Sequence, residues 1–351
     1  MKLEDLLENM APWLTGDGPE ADIVFSSRVR LARNIRGYNF PRRMSRENRR
    51  NLFAVIVAGI GRTASLPDPL IVKLEELSEL NRQFLMERHL ISRELSPEHQ
   101  GGAAIGKNEI VSLMINEEDH LRIQVIRSGL SLARCWEEID RIDTDLEKVL
   151  TFECSPEYGY LTACPSNVGT GMRASVMMHL PALVLSQQIG KIVQAVGKLG
   201  LAVRGLYGEG SPAAGNIFQI SNQSTLGKSE SEILGDLEKI IRKIIIHERN
   251  GRRVLLDGQL LRLQDRICRA RGILENARLI SSEETISLLS ALRMGVDLGV
   301  LDSITRKTVN QVFIQSQPAH LQRLAGRVLA PEERDALRAN LIREKLAGPP
   351  R

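Results

Sequence analysis

The spacing of apolar residues changes at about residue 229, and this change constrains the fold more than any other feature of the chain. Before it, short apolar segments alternate with polar turns. IVSLMIN (110–116) and LRIQVIR (121–127) flank the turn EEDH and predict two antiparallel strands. After it, SEILGDLEKIIRKIIIHERN has the three-to-four-residue repeat of an amphipathic helix. The pattern therefore predicts an α+β part followed by a helical part.

A break in the helical pattern near 251–258 predicts a boundary between two domains, 1–254 and 255–351. Within the first domain, LAVRGLY (201–207) and NIFQISN (216–222) are further predicted strands. Helical periodicity predicts another helix in the first domain, over 129–150, and four in the second, over 258–275, 283–294, 303–315 and 331–346.

Composition excludes several classes of protein. With 42% hydrophobic residues, the 351-residue chain can bury a sizeable core. No apolar run approaches the roughly 20 residues that a membrane helix needs, and the acidic, interrupted N-terminus does not fit a signal peptide. The cysteines lack the spacing of a zinc site. We therefore expect a reduced, cytoplasmic protein without a structural metal.

Arginine makes up most of the basic residues, with 36 Arg and 11 Lys. The net charge of +4 is too small to imply nucleic-acid binding by itself. Nine arginines and one acid stand between Arg28 and Arg50, but only Tyr38 and Phe40 are there to stack on bases. Direct nucleic-acid binding is therefore a minor alternative, which a steep salt dependence would identify.

The chain lacks the common phosphate-binding loops. Gly-Lys-Ser at 227–229 is not a Walker A loop, because Asn222 stands where that loop needs glycine. SSRVRLARN instead places Arg28 and Arg30 two residues apart. In a strand both side chains lie on one face and can grip a polyphosphate as parallel forks. Taken alone, a solvated basic strand is the commoner explanation.

Three other segments combine charge with tight turns. NEEDHLR places three acids and Arg122 at a turn, where a carboxylate can be held rigidly as a general base. YGYLTACPSNVGTG (158–171) predicts a strand running into a loop, with Cys164 before it and Arg173 after it. VRGLYGEG separates Arg204 from Glu209 by a glycine-flanked turn. Each alone is also explained by a hairpin tip, a buried thiol or a surface ion pair.

Together these segments stand in the order and at the spacing of one family. From about residue 24 to 250, the chain resembles the phosphagen (guanidino) kinases, which include creatine and arginine kinases. The resemblance implies an α+β fold: a catalytic domain with a curved, mainly antiparallel sheet flanked by helices, here followed by a C-terminal helical domain. It also implies ATP and Mg²⁺ as cofactors, with no metal ligands assigned in the chain.

The resemblance implies roles for individual residues. Glu118 and Glu209 match the two carboxylates that hold the guanidinium, and Cys164 matches the reactive cysteine beside it. Five arginines match those around the ATP phosphates, and His89 matches a position lining the nucleotide site. The implied nucleotide-binding set is Ser26, Ser27, Arg28, Val29, Arg30, His89, Arg122, Arg173, Ala174, Ser175, Val176, Met177, Arg204, Gly205, Leu206, Tyr207, Gly208 and Glu209.

The chemistry of the reaction explains why such residues are needed. Phosphoryl transfer depends mainly on alignment and on charge stabilisation, which arginines and Mg²⁺ supply. A guanidinium stays protonated in water and is a poor nucleophile. Two carboxylates that grip it can orient one nitrogen and accept its proton.

The chain departs from the small-molecule guanidino kinases in its arrangement. Those enzymes carry a helical domain ahead of the SSRVR-type motif, whereas here the motif begins at Ser26 and helical residues follow the catalytic part. This resembles the bacterial protein-arginine kinase branch of the family and implies phosphorylation of arginine side chains in proteins. It further implies a mark for Clp-protease degradation, inactivation of a heat-shock transcription repressor, an activator protein, and a homodimer formed through the C-terminal helices.

The segment EERDALRAN contains Arg334, Asp335, Arg338 and Ala339 in an RDxxRA pattern. On a helix the two arginines share a face and can clamp a phosphate. An ordinary solvated helix face is the alternative. In the protein-arginine kinase branch, this pattern forms an allosteric pocket for phosphoarginine.

Two other functions stay open. One is a kinase of free arginine or another small guanidine, which labelling free arginine beside an arginine-rich protein would identify. The other is a non-catalytic adaptor that binds a transcription repressor. If the protein were an adaptor, we would expect its catalytic residues to have been replaced. Glu118, Glu209 and all five matching arginines are present.

Overall fold

The computed structural model describes residues 3–205 and 214–347, and an eight-stranded antiparallel sheet lies at their centre. The strands follow the order β2-β3-β4-β5-β1-β8-β10-β9. β6 and β7 form a separate antiparallel pair. In chain order the strands are β1 Val24–Arg33, β2 Leu70–Lys73, β3 Gly102–Ile105, β4 Val111–Ile115, β5 Leu121–Ser128, β6 Cys154–Ser155, β7 Gly159–Tyr160, β8 Met172–His179, β9 Leu201–Gly205 and β10 Ile217–Asn222.

Helices flank this sheet and make up most of the chain after β10. Several begin at a serine whose hydroxyl accepts the third backbone N–H, and Ser229 forms a full capping box with Glu232. None of the described helices is both long and apolar enough to cross a membrane. They are α1 Asp5–Glu8, α2 Arg46–Ile60, α3 Glu79–Glu87, α4 Leu132–Glu147, α5 Pro181–Leu185, α6 Ile189–Lys198, α7 Glu230–Asn276, α8 Ser282–Asp297, α9 Arg306–Gln315, α10 Pro318–Leu324 and α11 Pro331–Ala347.

The two faces of the sheet differ because side chains alternate along each strand. On one face Val29 and Leu31 of β1 are fully buried in a core that includes Ile56 of α2, Ile139 of α4 and Ile241 of α7. The opposite face carries Ser26, Arg28 and Arg30 of β1. This division leaves one face of the sheet for chemistry.

A second core joins the C-terminal helices to the polar face of the sheet. Ile267 of α7, Leu289 of α8 and Phe313 of α9 belong to one buried cluster with Phe25 of β1 and Met177 of β8. The C-terminal helices therefore pack against the catalytic sheet instead of standing apart from it.

The fold prediction from the sequence is confirmed, including the antiparallel strands at 111–115 and 121–128. The strand predicted at the start of 158–171 is largely wrong: only Gly159–Tyr160 pair as a strand, because Pro165 begins a 3₁₀ turn and Gly169 takes a positive φ. The break predicted near 251–258 lies slightly later in the structure: residues 251–258 are helical, and α7 is kinked at Gln259, where the backbone leaves helical angles. The domain boundary stays a prediction.

Candidate active site

Five arginines lie on the polar face of the sheet. In antiparallel strands, directly paired residues share a face. Arg30 of β1 pairs with Arg173 of β8, and Ala32, two residues along the same face, pairs with Arg122 of β5. Arg28 belongs to this face by alternation. Arg204 of β9 lies on the same face, as three successive pairings show. Ser26 pairs with Met177, Met177 pairs with Gln219, and Gln219 pairs with Arg204.

Two adjoining clefts open over this face. The first has a volume of about 510 Å³, and among its lining residues are Arg28 and His89. The second has a volume of about 490 Å³, and Glu118, Cys164 and Arg173 are among its lining residues. Both clefts are lined by Arg30, Glu94 and Arg204. A group bound in one cleft can therefore meet a group bound in the other across this shared wall.

Arg28 and Arg30 of β1 are partly buried, crowded cations in the wall of the first cleft. Burial, followed by the charges of Arg173 and Arg122, lowers the pKa of Arg28 to about 10. Burial and the charge of Arg28 lower the pKa of Arg30 well below its ordinary value. Arg28 donates to Gln219 Oε1 at 3.0 Å, while Nε of Arg30 has no partner among the described residues. A polyanion would relieve this repulsion and satisfy the free donor.

His89 stands at the edge of the first cleft in a turn after α3, with a positive φ of 59°. Burial, then the charges of Arg28 and Arg30, lowers its pKa to about 3, so the imidazole is neutral at ordinary pH. Its ring meets that of Trp13 edge to face, with the centroids 5.1 Å apart. His89 therefore offers an uncharged aromatic surface beside the cationic cluster.

Neighbouring carboxylates in the β4–β5 turn have different surroundings. Glu117 is buried, forms a 2.5 Å ion pair with Arg122 and accepts from the Ser92 hydroxyl. Glu118 is 33% exposed and lies 3.4 Å from Arg122. Burial raises the pKa of Glu118, with Asp119 and Glu117 adding to the effect and Arg122 opposing it. Glu117 thus positions an arginine, while Glu118 faces the second cleft with an affinity for protons above that of an ordinary glutamate.

Hydrogen bonds hold the loop that carries Cys164 against this turn. Asp119 Oδ1 accepts from the Ala163 backbone N–H at 2.7 Å and from Asn34 Nδ2 at 2.8 Å. Cys164 Sγ lies 3.0 Å from Ser166 Oγ. The bond to Ala163 fixes the residue before Cys164, so the thiol and Glu118 are brought to the same cleft.

Comparison with known proteins identifies this arrangement. Residues 67–251 match the ATP:guanido phosphotransferase C-terminal catalytic domain, and residues 261–350 match the Protein-arginine kinase McsB C-terminal domain. The chain belongs to the ATP:guanido phosphotransferase family. It is therefore a phosphotransferase that acts on guanidino groups, and the family predicted from the sequence motifs is confirmed.

Relatives of this guanido phosphotransferase extend over almost its whole length. The protein-arginine kinase of Symbiobacterium thermophilum is 52% identical over 95% of this chain and 96% of its own. That of Bacillus cereus is 45% identical over 99% of both chains. Among solved structures, a duplicated taurocyamine kinase from Schistosoma mansoni has a TM-score of 0.60 at 28% identity, covering 70% of this chain and 35% of its own. A lombricine kinase has a TM-score of 0.60 at 27% identity and 70% coverage of both.

The structure separates the sequence-predicted nucleotide residues into two sets. Ser26, Ser175 and Met177 share the face of the five arginines. Ser27, Val29, Ala174 and Val176 lie on the opposite face, and Gly205 is buried beside Phe218 in the sheet. Ser27 Oγ donates to Gly129 O and accepts from Ser131 N. The predicted residues Leu206, Tyr207, Gly208 and Glu209 lie outside the described part of the chain.

Some site residues escaped the sequence reasoning. Gln219 binds Arg28, Glu94 lines both clefts, and Glu117 orients Arg122. The alternation of NIFQISN could have indicated Gln219, because it places this polar residue on the same face of the sheet as its partners Met177 and Arg204. Glu94 had none, because it lies in an irregular segment brought to the site only by the fold.

The RDxxRA residues stand on α11 and line neither of the two clefts. Arg338 has a side chain only 2% exposed; it donates to Ser316 O and Ile280 O at 2.8 Å and also binds Asp335. Arg334 is half-buried and donates to Leu329 O at 3.1 Å. Arg338 thus ties α11 to the end of α9 and the segment before α8. The phosphoarginine pocket stays a prediction.

Proposed function

We propose that this chain transfers the terminal phosphoryl group of MgATP to arginine side chains of proteins. The observation that carries the proposal is the pair of adjoining clefts: Arg28, Arg30 and Arg204 line the first, while Glu118 and Cys164 line the second together with four of the five arginines. The protein acceptor is supported by relatives named protein-arginine kinase, which are 45–52% identical over nearly the full length.

The described side chains suit the steps of this reaction. The five arginines neutralise the triphosphate and the charge that spreads over the moving phosphoryl group. A terminal nitrogen of the substrate arginine attacks the γ-phosphorus as the bond to the β–γ bridging oxygen breaks and ADP leaves. Glu118 hydrogen-bonds the guanidinium, orients the attacking nitrogen and accepts its proton. Glu209 is the second carboxylate implied by the family resemblance.

Mg²⁺ fits this site as part of the nucleotide substrate. Within 3–205 and 214–347, no group of three or more His, Cys, Asp or Glu side chains could hold a metal ion. Mg²⁺ is commonly bound through substrate phosphates and few protein ligands. When bound with ATP it would supply positive charge at the phosphates, beside the arginines.

The second cleft is accessible to a side chain carried by a large acceptor. Arg42 and Ser166 on its rim are exposed, and Glu118 keeps a third of its side chain in contact with solvent. A protein-bound arginine is long enough to reach inwards from such a rim. These features support a protein substrate over one that must be fully enclosed.

The C-terminal region has two proposed roles: dimerisation and regulation by phosphoarginine at Arg334, Asp335, Arg338 and Ala339. Exposed apolar residues along α7 support a homodimer surface: Val254 is 67% exposed and Leu261 is 80% exposed. Burying them against a second copy would remove apolar area from water. Light scattering that gave only a monomer mass would contradict the dimer.

The cellular roles are proposed from the family resemblance. They are marking of proteins for a Clp protease, inactivation of a heat-shock repressor, cooperation with an activator protein, and a cytoplasmic location. A degradation assay with a Clp ATPase and protease tests the first role. We expect substrate loss only after treatment with this chain and MgATP; equal loss without treatment would contradict it.

Labelling with radioactive ATP tests the acceptor class. Free arginine and an arginine-rich protein are offered together, and acid-labile label is measured on each. We expect label on the protein. Label on free arginine alone would favour a small-guanidine kinase, and label on neither would favour the adaptor function.

A further inference from the structure

An exposed basic surface borders the second cleft. It consists of Arg42 and Arg43 in the 3₁₀ turn Pro41–Arg43, together with Arg46 and Arg50 in the first turns of α2. All four side chains are exposed, and none forms an ion pair with a carboxylate of the described residues. Arg42 also lines the second cleft. We call these four residues the basic rim.

Hydrogen bonds hold the basic rim beside the turn that carries Glu118. Arg49, half-buried on α2, donates to Pro41 O from Nε at 3.0 Å and from Nη2 at 2.6 Å. These bonds join the two parts of the rim. The backbone C=O of Arg49 accepts from Asn116 Nδ2 at 3.0 Å, just after β4. The start of α2 is therefore fixed to the β4–β5 turn.

A second connection comes from His120, two residues after Glu118. Burial lowers the pKa of His120 to about 4, so the ring is neutral at ordinary pH. Its Nδ1 accepts from Ile35 N at 2.9 Å, which leaves the proton on Nε2 to donate to Asn39 O at 2.8 Å. The chain before the rim and the helix after it are thus both bonded to the turn that carries Glu118.

The charges of the basic rim do not stabilise the helix that carries two of them. Arg46 and Arg50 lie one helical turn apart, where like charges repel. Arg46 is the first residue of α2, and a cation at that end opposes the helix dipole. Glu47 is the one acid between Arg28 and Arg50. Cations arranged in this way are suited to an anion from outside the fold.

We propose that the basic rim docks an acidic segment of the acceptor protein, so that arginines with Asp or Glu nearby in the sequence are preferred substrates. An arginine in the second cleft places its neighbours at the rim, because Arg42 belongs to both. Acidic neighbours would pair with the rim, whereas Lys or Arg neighbours would be repelled. The inference rests on the proposed phosphorylation of protein arginines and adds a feature that selects among them.

Steady-state kinetics with three peptides test this preference. Each peptide contains one arginine, flanked on both sides by Asp and Glu, by Asn and Gln, or by Lys. We expect kcat/KM to be highest for the acidic peptide and lowest for the lysine peptide. The acidic peptide should exceed the neutral one on the order of 10-fold, mainly through KM, because several weak exposed ion pairs act together. Raising the salt from about 0.02 to 0.5 M should reduce this difference.

Charge reversal of the rim provides the second readout. Arg46→Glu combined with Arg50→Glu changes two residues that line neither cleft. We expect the preference to invert, so that the lysine peptide becomes a better substrate than the acidic one. A purely structural effect would lower kcat/KM for all three peptides alike. If this variant fails to fold by circular dichroism, Arg46→Gln with Arg50→Gln replaces it and should abolish the preference for the acidic peptide.

Arg134 and Arg141 provide the matched control. Both are exposed on α4 and line neither cleft. Arg134→Glu combined with Arg141→Glu gives the same change in net charge at another place. This variant should keep the wild-type order of the three peptides. An inverted order here as well would assign the effect to net charge and overturn the docking surface.

The outcomes separate this inference from the proposed function. If wild-type protein labels all three peptides with equal kcat/KM, or if the reversed rim keeps the wild-type order, the docking surface is wrong and protein-arginine phosphorylation stands. If no peptide or protein is labelled on arginine, both proposals are overturned. Equal kcat/KM combined with salt-sensitive binding of duplex DNA that the reversed rim loses would assign the rim to nucleic acid instead.

Discussion

At the scale of single residues, the surroundings of Glu118 make it the best placed carboxylate among the described residues to handle the guanidinium proton. Glu117 beside it also lines the second cleft, but its side chain is fully buried and already binds Arg122 and the Ser92 hydroxyl. Glu118 lies in the second cleft with its pKa raised by burial. A higher pKa makes the carboxylate a better proton acceptor near neutral pH, provided that it is still ionised.

Replacing Glu118 with glutamine should therefore change both the rate and its pH dependence. We expect kcat to fall on the order of 10²–10⁴-fold, because the amide cannot accept the proton. In wild-type protein, activity should fall as the pH decreases through the pKa of Glu118. Since that pKa is raised, the fall should begin at a higher pH than an ordinary glutamate would give.

The exposed Glu98, on the 3₁₀ turn Pro97–His99, provides the matched control. Glu98→Gln should have wild-type kcat and the same acidic limb in its pH–rate profile. A Glu118→Gln enzyme with wild-type turnover would contradict the proton-accepting role of Glu118.

Alkylation of Cys164 should block the acceptor cleft and spare the nucleotide cleft. Cys154 and Cys268 are exposed and would be replaced by serine first, while Cys135 is buried with its pKa raised to about 12 by burial. We expect iodoacetamide to abolish transfer without changing MgADP affinity, measured by calorimetry. An arginine-containing peptide should slow the modification. Full activity of protein with Cys164 alkylated would count against this placement.

The sequence was sufficient to predict the residues that contribute charge. Arg28, Arg30 and Arg173 could be placed from alternation and motif order, and the strands confirm that they share a face. The cleft-lining side chains Trp13 and Glu94 could not be placed, because no local pattern indicates which distant loops reach a cleft. Alternation also indicates why Ser27 and Val29 point away from the arginines: neighbours on a strand face opposite sides.

At the scale of secondary-structure elements, an ion pair buried between β1 and α4 supports the acceptor side of the site. Arg33 binds Asp143 at 2.6 Å, with side chains 2% and 10% exposed. Arg33 also donates to Thr170 O and lies over the ring of Tyr160, with its guanidinium carbon 3.5 Å from the centroid. One side chain therefore connects the sheet, a helix and both ends of the loop that carries Cys164.

Asp143→Ala should destabilise the protein strongly, because it leaves a buried guanidinium without its counter-ion. We expect a loss of about 3–5 kcal/mol in the free energy of unfolding, measured by urea denaturation. Asp140→Ala, at an exposed position of the same helix, should change stability little. Equal stabilities of the two variants would show that the pair is not needed.

Substitutions of the two arginines of the RDxxRA segment should distinguish a structural role from a binding role. Arg338 joins α11 to Ser316 and Ile280, so Arg338→Ala should lower the unfolding temperature. Arg334 makes one bond, to Leu329 O, and Arg334→Ala should keep the fold while losing affinity for a phosphoarginine peptide. Unchanged peptide binding by Arg334→Ala would contradict the proposed pocket.

Helical periodicity predicted the C-terminal elements well but placed the break in α7 too early. Residues 251–258 are helical, because Arg252 pairs with Glu248 in the buried face of α7 and Leu255 reaches the second core, and the kink follows at Gln259. The Arg252–Glu248 pair joins residues one helical turn apart, and the packing of Leu255 is a tertiary contact. A pattern search for apolar spacing does not detect them.

At the scale of the whole molecule, the C-terminal helices contribute to the first cleft of the candidate site as well as to the proposed dimer. They pack on the polar face of the sheet and line the first cleft with Phe313 and Ile314. Nothing in the local sequence predicted this docking, since it depends on which apolar faces meet after the chain has folded. It gives the C-terminal region a physical route to influence nucleotide binding.

The most direct test of protein-arginine phosphorylation is site mapping of acid-labile phosphate on a mixed protein substrate. Wild-type protein and Glu118→Gln are each incubated with MgATP and the substrate, and phosphoarginine is located by mass spectrometry under neutral conditions. We predict phosphate on arginine side chains with wild-type protein and little or none with Glu118→Gln. Phosphate on serine, threonine or tyrosine instead, or equal labelling by both proteins, would contradict the proposed function.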